Sequence, residues 1–263
     1  MRKILLSLIY FILITHISVN AAQIIIEGNY QGKNLYIQNP FASNGVGFCV
    51  QEVLINDRIS TDEINSSAFE IDFSSYRLQI GDKVVIKIIH KDECKPKVLN
   101  PEVLKPKSTF EIVSMKVDAD GMFVFVTQQE SGKLPFVVEQ FRWNKWVKIA
   151  EVQGKGTPSK NTYSTKVNLH SGENKIRVKQ TDFSGNPRSS EPYKTRTNSP
   201  ELTFSPLKVA DALNFSGETM YEIYDSYGNL VKKGAGNNAE VAGLKKGIYY
   251  LNFDNKTDKF VKK

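Results

Sequence analysis

The chain has 263 residues, of which 40% are hydrophobic, 24% charged and 11% aromatic. These values are typical of an ordinary folded protein with room for two or three small domains, and they exclude a disordered or low-complexity chain. The formal net charge is +7 at pH 7, so the distribution of cations along the chain becomes part of the question of function.

The first 21 residues have the pattern of a secretory signal peptide. Arg2 and Lys3 form a basic start, residues 4–17 are almost entirely apolar, and small residues surround a cleavage site between Ala21 and Ala22. The apolar run is short for a membrane span, so we expect an exported, soluble mature chain; the alternative is an uncleaved N-terminal anchor. Loss of the two cations leaves +5 on the mature chain, two less than +7.

Residues 22–107 predict a first antiparallel β-sandwich. Short β-branched or alternating runs are separated by clusters of Gly, Asn, Asp and Ser, as in a sandwich of short strands. The five runs are residues 24–26, 33–37, 48–55, 68–73 and 83–90.

Both cysteines of the chain lie in this first domain, Cys49 in the third run and Cys94 just after the fifth. Export to an oxidising compartment favours a disulfide between them. A metal pair or a reactive thiol are the alternatives, but two cysteines without clustered histidines offer few zinc ligands. We therefore expect a disulfide, no metal and no cofactor.

Two loops of the first domain differ from plain scaffold. Residues 39–47 are rich in Gly and Asn, and residues 90–97 concentrate charge beside Cys94. A disulfide would hold the second loop against the strand that follows the first loop, at one end of the sandwich, where binding sites are common. The candidate partner surface consists of His90, Lys91, Asp92 and Lys95. Alternatively, both loops are polar connections.

Two prolines between residues 99 and 108 predict a stiff linker before a second domain at residues 108–198. Its β pattern comprises residues 110–117, a turn at 118–121, residues 122–126, and a hairpin over 135–152 that is expected to turn at Asn144–Lys145. The runs 136–139, 146–149 and 174–185, with Tyr163, resemble fibronectin type III modules. That resemblance implies a second β-sandwich.

Trp143 and Trp146 flank the expected hairpin turn. In a sandwich such residues usually fill the core or form an exposed cross-strand pair, and stacking on a sugar ring is the alternative.

The positive charge of the mature chain is concentrated in the second domain. Residues 108–199 hold 14 Lys and Arg against nine Asp and Glu, whereas the flanking segments are close to neutral. A solvated, lysine-rich surface explains this excess, and attraction to an anionic envelope surface such as lipopolysaccharide is the alternative. We expect no nucleic-acid partner, because the chain is exported and shows no nucleic-acid-binding motif.

Residues 199–263 predict a small C-terminal β domain. The segment 220–234 alternates as a hairpin around turn residues 225–229, where Gly228 allows positive φ. A second strand pair follows, with strands at 248–253 and 259–263 around a turn at 254–256.

This last segment resembles the type A C-terminal sorting domain of substrates of the Bacteroidetes type IX secretion system. The family has an apolar strand with an Asp and Gly turn, a Leu-x-x-Gly-x-Tyr segment and an apolar-basic final strand. The matching residues are Asp225, Gly228, Leu244, Gly247, Tyr249, Phe260, Lys262 and Lys263. The usual Pro-Asn-Pro opening is reduced to Pro206. The resemblance implies the type IX translocon and outer-membrane components as partners.

The familiar catalytic motifs are missing, so the sequence predicts no enzyme. The mature chain contains only His90 and His170, in different expected domains. We expect an all-β, non-enzymatic protein at the cell surface or secreted, binding an unknown protein or glycan ligand. The alternative is a periplasmic or outer-membrane-associated accessory or signalling component of the secretion system or envelope.

Overall fold

The computed structural model describes residues 22–263 and forms an all-β protein, as predicted. The predicted signal peptide, residues 1–21, lies outside the described residues. No helix within residues 22–263 has the length and apolar character to cross a membrane. The described chain divides into two compact units: unit 1 holds residues 22–26, 35–72 and 85–100, and unit 2 holds residues 27–34, 73–84 and 101–263.

The N-terminal strands form two sheets. One has the order β1-β6-β3-β4 and the other β5-β2-β7. Their bounds are β1 Ala22–Asn29, β2 Leu35–Gln38, β3 Val50–Ile55, β4 Arg58–Ile59, β5 Ala68–Ile71, β6 Lys83–His90 and β7 Lys97–Val98. The five expected runs all contain strands, and the two-residue strands β4 and β7 were missed because so few residues carry no periodicity.

The core of unit 1 lies between these two sheets. Alternate residues of β2, β3, β5 and β6 point inwards, because side chains of a strand alternate between its faces. The side chains Leu35, Ile37, Val53, Ile55, Ile71, Ile86 and Ile88 are at most 2% exposed.

The disulfide between Cys49 and Cys94 is present, with an S–S distance of 2.12 Å and a sequence separation of 45. Cys49 is fully buried and lies just before β3. The bridge therefore fixes the loop after β6 against the start of β3.

Residues 108–198 form a second sandwich within unit 2. Its strands are β8 Glu111–Val117, β9 Met122–Gln128, β10 Pro135–Arg142, β11 Lys145–Gln153, β12 Asn161–Lys166, β13 Gly172–Thr181, β14 Pro187–Ser189 and β15 Tyr193–Thr197. One sheet has the order β12-β9-β8, and the other β11-β10-β13 with β14 and β15 both pairing β13. This is the strand order of a fibronectin type III sandwich, with β14 and β15 together as its last strand.

An aromatic cluster fills this second sandwich. Phe123, Phe125 and Phe136 are fully buried, and Phe125 stacks on Tyr163 with ring centroids 5.0 Å apart. Neither tryptophan belongs to this core. Trp146 is instead the cross-strand neighbour of Phe141, as in the second sequence interpretation, but it is partly buried rather than exposed.

The structure corrects one sequence prediction about this region and adds detail to another. The β10–β11 hairpin turns at Trp143–Asn144, both with positive φ of 51° and 60°, and not at Asn144–Lys145. The expected linker contains a short 3-10 helix, Pro101–Leu104, whose Leu104 is 1% exposed and lies against Gly28. The apolar side chain of Leu104 therefore ties the segment into unit 2.

The C-terminal β domain also belongs to unit 2. Its strands are β16 Phe204–Ser205, β17 Lys208–Val209, β18 Ala212–Tyr224, β19 Leu230–Glu240, β20 Gly247–Phe253 and β21 Lys256–Lys262. They form one sheet in the order β16-β18-β20-β21-β17, with β19 paired to β18. Both predicted hairpins are present, and the first is longer than residues 220–234 because β18 continues back to Ala212 through a register shift.

We expect removal of the disulfide to destabilise the protein. Replacing both cysteines, Cys49→Ala with Cys94→Ala, should lower the free energy of unfolding by about 4 kcal/mol, because the unfolded chain regains the entropy of a 45-residue separation. Urea denaturation of the mature chain measures this loss. Reductant should lower the stability of the wild-type protein and leave the double variant unchanged; equal sensitivity of both would contradict the expectation.

Candidate functional site

The two loops singled out in the sequence meet at one end of unit 1. The backbone N–H of Cys49 donates to Pro40 O at 2.9 Å, and that of Lys91 donates to Cys49 O at 3.0 Å. The Lys91 ammonium donates to Val46 O at 3.0 Å. We call this surface, residues 40–48 and 91–95, the loop end.

The loop end carries exposed apolar side chains on a braced backbone. Phe41 stacks on Phe48 with centroids 4.5 Å apart, yet Phe41 is 62% exposed and Val46 71% exposed. Beneath them the amide of Asn39 is fully buried; it donates to Ile64 O and accepts from Val50 N–H, each at 2.9 Å. Two exposed apolar groups are thus held on a fixed frame.

Not all of the polar residues predicted for the partner surface are exposed. Asp92 and Lys95 are exposed, and Lys91 is partly exposed. His90 is only 6% exposed and its Nδ1 lies 2.8 Å from Lys91 O, so it cannot contact a partner. As the last residue of β6, His90 takes the inward-facing position of the alternation.

The turn residues of the C-terminal motif form the tight turn that their residue types predict. The Asp225 carboxylate accepts the backbone N–H groups of Tyr227 and Asn229 at 2.9 Å, and Gly228 has φ +83°. These bonds close the β18–β19 turn and leave Tyr227 89% exposed at its tip. Asp225 and Gly228 therefore shape the turn and position Tyr227.

The other motif residues build the core of the C-terminal domain. Tyr249 stacks on Phe260 at 5.5 Å, and its hydroxyl donates to Lys245 O at 2.9 Å. Leu244 packs against the same core, and Gly247, with φ +157°, begins β20. The motif residues therefore determine the packing and turn geometry of the domain and do not form a set of exposed contacts.

The final strand is an integral part of this domain. β21 pairs antiparallel with β20 and parallel with β17, and Lys263 N–H donates to Val209 O at 2.9 Å. Its side chains alternate: Phe260 and Lys262 are buried, while Lys259, Val261 and Lys263 are exposed. Lys262 ends inside, where its ammonium donates to Lys263 O.

Opposite the core, this domain exposes an apolar sheet face. Ile248 lies directly across from Val261, and Tyr250 across from Lys259. Ile248 is 54%, Tyr250 45% and Val261 38% exposed. We call these three side chains the outer apolar row.

A buried polar junction joins the C-terminal domain to the second sandwich. Arg142, at the end of β10, is 2% exposed. Its guanidinium donates to Gln140 Oε1 and Asn168 O at 2.6 Å and to Asp254 O at 3.2 Å. Because Asp254 lies in the β20–β21 turn, this side chain ties the two domains together.

The carboxylate of Asp254 completes the junction from the other side. It is 2% exposed and accepts the N–H of Ser171 at 2.8 Å, the Ser171 hydroxyl at 2.5 Å and the N–H of Leu202 at 3.2 Å. Asp254 lies in this turn with φ +48°. One side chain thus contacts both the second sandwich and the connecting segment.

The electrostatics of the junction follow from burial opposed by hydrogen bonds. Burial lowers the pKa of Arg142 to about 10, so it remains cationic at neutral pH. Burial opposes the charge of Asp254, but hydrogen bonds from Ser171 and Leu202 outweigh it and hold the pKa of Asp254 below its usual value. Burial, together with the Arg142 cation, lowers the pKa of His170, which is therefore neutral at pH 7.

A second, more exposed contact supports this junction. Lys145 donates to Glu222 Oε2 at 2.7 Å and to the Tyr224 hydroxyl at 3.0 Å. The backbone N–H of Trp143 donates to Asn255 Oδ1 at 3.3 Å. The junction was not predicted from the sequence, where its signal is a single charged residue, Arg142, at an inward-facing position of a strand.

Residues 205–263 match the model of the secretion system C-terminal sorting domain. The chain therefore carries a type IX sorting domain, as its motifs predicted, and is exported for attachment to the cell surface or for secretion. No curated protein matches the chain significantly in sequence.

Solved structures resemble the chain only distantly. The tetra-tandem repeat in the extending region of a large adhesion protein is 11% identical, with a TM-score of 0.33, covering 92% of this chain and 75% of that one. The fibronectin(III)-like modules of Clostridium thermocellum CbhA are 13% identical, with a TM-score of 0.22, covering 59% and 94%. Dimeric latent PorU from Porphyromonas gingivalis is 10% identical, with a TM-score of 0.21, covering 92% and 31%.

We expect the variant Asp254→Ala to destabilise unit 2 strongly. It leaves the Ser171 and Leu202 donors without their acceptor and the buried Arg142 without a nearby negative charge, which should cost roughly 3 kcal/mol of unfolding free energy. Urea denaturation of the mature chain measures the change. Asp258→Ala is the matched control, since Asp258 is exposed on the same hairpin; equal losses in both variants would refute the role of the junction.

Proposed function

We propose that this protein is a non-enzymatic binding protein that acts at the cell surface or after secretion, and that its partner contacts the loop end. The observation that carries the proposal is the pair Phe41 and Val46, more than half exposed on a frame fixed by the disulfide and by buried Asn39. Exposed apolar side chains on a rigid frame suit binding, because little conformational entropy is lost on association.

The chemistry of the described residues supports a non-enzymatic role. His90 and His170 are both buried, and the Nδ1 atom of each lies beside the carbonyl of the following residue. Within residues 22–263 no three His, Cys, Asp or Glu side chains are grouped to hold a metal ion. Neither histidine is placed to activate a nucleophile or a water.

We propose that the secretion machinery contacts the sorting domain through the outer apolar row. Phe260 and Tyr249 are committed to the core, so they are unavailable to a translocon component while the domain is folded. The outer apolar row is exposed and lies on the paired central strands β20 and β21. It offers a recognisable surface without unfolding.

One observation favours the alternative, in which the sorting domain is retained and the protein is an accessory component of the secretion system or envelope. The sorting domain is attached to the second sandwich through the buried side chains of Arg142 and Asp254. Cleavage in the connecting segment would leave the two parts held by this junction. Fractionation of cells, with mass measurement of the protein in each fraction, distinguishes retained, cleaved and released forms.

We expect the double variant Ile248→Thr with Val261→Thr to reduce export while leaving the protein folded. Threonine removes apolar contact surface and keeps a β-branched side chain, so stability should change by less than about 0.5 kcal/mol. Cell fractionation should show accumulation in the periplasm. Val113→Thr is the matched control, since Val113 is 43% exposed on the second sandwich; normal delivery of the double variant would refute the role of the row.

We expect the double variant Phe41→Ser with Val46→Ser to weaken binding to envelope fragments of the producing cells by roughly tenfold or more, as loss of a central apolar contact does. Co-sedimentation of the purified mature chain with the fragments measures the affinity. Ile59→Ser is the control, because Ile59 is 65% exposed elsewhere in unit 1. If the double variant and the control bind equally, the partner does not contact the loop end.

A further inference from the structure

The sheet of the C-terminal domain has one long edge that is not paired. β19 spans 11 residues and, within residues 22–263, pairs with β18 alone. The other edge strands of the sheet, β16 and β17, have two residues each. Short edge strands limit pairing between chains, whereas a long one presents a row of unpaired backbone donors and acceptors. We call the side of β19 that faces away from β18 the free edge.

The middle of β19 lacks the residues that usually keep edges apart. The strand contains no proline, and its charged residues are Lys232 and Lys233 near one end and Glu240 at the other. Residues 234–239 are uncharged and begin with three small residues, Gly-Ala-Gly. Charges and prolines are the common means of blocking an edge, so the central part of this edge is open to a further strand.

The two ends of the free edge carry opposite charges that are not neutralised. Lys233 and Glu240 are both exposed, and among the described residues neither forms an ion pair. An antiparallel neighbour with the same sequence would place its own Glu240 near Lys233, and its own Lys233 near Glu240. The edge is therefore complementary in charge to a second copy of itself.

An irregularity in β19 puts these two charges on the same face. In a regular strand Lys233 and Glu240 would point to opposite faces, because an odd number of positions separates them. Before the irregularity Gly234 faces the core, opposite a buried residue of β18; after it the core position is taken by Ala239, which is 0% exposed. The alternation thus shifts by one position between these residues, and Lys233 and Glu240 both point to the outer face.

One antiparallel register between two copies satisfies both the charges and the faces. Pairing across a twofold axis sets each residue of one copy against a residue of the other that points to the same face. The pairs are Lys233 with Glu240, Ala235 with Asn238, and Gly234 with Ala239. A slip of one residue would set outward side chains against inward ones, so the register is specified. The twofold axis makes every pair occur twice, which gives two Lys–Glu contacts.

We propose that this protein forms a homodimer in which the free edges of two copies pair antiparallel into one continuous sheet, with Lys233 of each copy opposite Glu240 of the other. Backbone hydrogen bonds between the two edges supply affinity, as in other cases of strand addition. The two charge pairs fix the register and disfavour other partners. A second copy fits better than an unrelated extended segment, because a twofold interface needs both charges on one patch, as here.

The dimer interface is distinct from the loop end and from the outer apolar row. It is measured on the purified chain without a ligand or secretion machinery, so its failure and the failure of either earlier proposal are separate results. A dimer carries two loop ends, and a partner repeated on a surface would be bound with avidity. That consequence rests on the loop-end proposal, whereas the dimer does not.

The test is the oligomeric state of the purified mature chain, followed by sedimentation velocity at increasing protein concentration. We expect a monomer–dimer equilibrium whose dimer fraction rises with concentration. Lys233→Glu creates two Glu–Glu contacts and Glu240→Lys two Lys–Lys contacts, and each should raise the dissociation constant at least about tenfold. Lys259→Glu and Asp258→Lys make the same changes in net charge at exposed positions of β21; these controls should change it by less than about twofold.

The sharpest sample is an equimolar mixture of Lys233→Glu and Glu240→Lys. Neither variant should dimerise with itself, but a mixed dimer has an acid opposite a base at both positions. It should therefore form with a dissociation constant within about threefold of the wild-type value. The double variant Lys233→Glu with Glu240→Lys reverses both pairs and should also recover the homodimer.

Three outcomes would overturn the proposal: a chain that is monomeric at every concentration, a dimer that both single variants leave intact, and a mixture that fails to recover association. Melting temperatures, measured where the wild type is monomeric, should be unchanged in the variants and separate lost association from lost folding. In the wild type, hydrogen exchange should slow in β19 as concentration rises. Protection confined to other strands would assign the dimer to another surface.

Discussion

The burial of Arg142 is the constraint on which the arrangement of unit 2 depends. A guanidinium removed from water needs partners for its donors and a nearby negative charge, or the folded state loses several kcal/mol. Gln140 and Asn168 supply acceptors from within the second sandwich, whereas Asp254 supplies both a carbonyl acceptor and the charge from the sorting domain. The buried Arg142 guanidinium therefore has all of these partners only when the sorting domain contacts the second sandwich.

This dependence changes how the C-terminal domain is understood. A sorting signal on a flexible linker could be read as an independent tail, but here the connecting segment is itself held, because Leu202 N–H donates to Asp254. The terminal strand is also paired on both sides, by β20 and β17. Removing residues 259–263 would consequently disrupt the sheet as well as any signal, so substitutions at exposed positions test recognition more cleanly than truncation does.

Much of the fold could be predicted from the sequence, because its elements depend on local patterns. The Asp225–Gly228 turn, the alternating strands around Tyr249 and the pairing of the only two cysteines in the described chain depend on turn chemistry, period-2 burial and export. The junction could not be predicted in this way. The sequence around Arg142 does not distinguish an arginine exposed at the end of a strand from one buried against another domain. Its partner, Asp254, lies in a different hairpin, and only the tertiary structure brings the two residues together. The prediction that His90 belongs to the partner surface was wrong for a related reason. A polar residue beside a charged loop was expected to be exposed, but the alternation of β6 directs His90 inwards.

The same alternation separates the structural residues of this protein from those available to partners. Along β21, Phe260 and Lys262 face the core while Lys259 and Val261 face outwards. Along β13, Ile176 and Val178 fill the sandwich while Lys175, Arg177 and Lys179 face outwards. Family motifs in β domains are therefore dominated by the inward set, which defines the fold and says little about the ligand. The ligand specificity of such a protein depends on its outward-facing residues. A one-residue shift of strand register would bury the outward-facing cations and expose the core residues. Because that shift would destroy the aromatic core around Phe123 and Phe136, the packing of the interior also fixes which charges the protein presents outside.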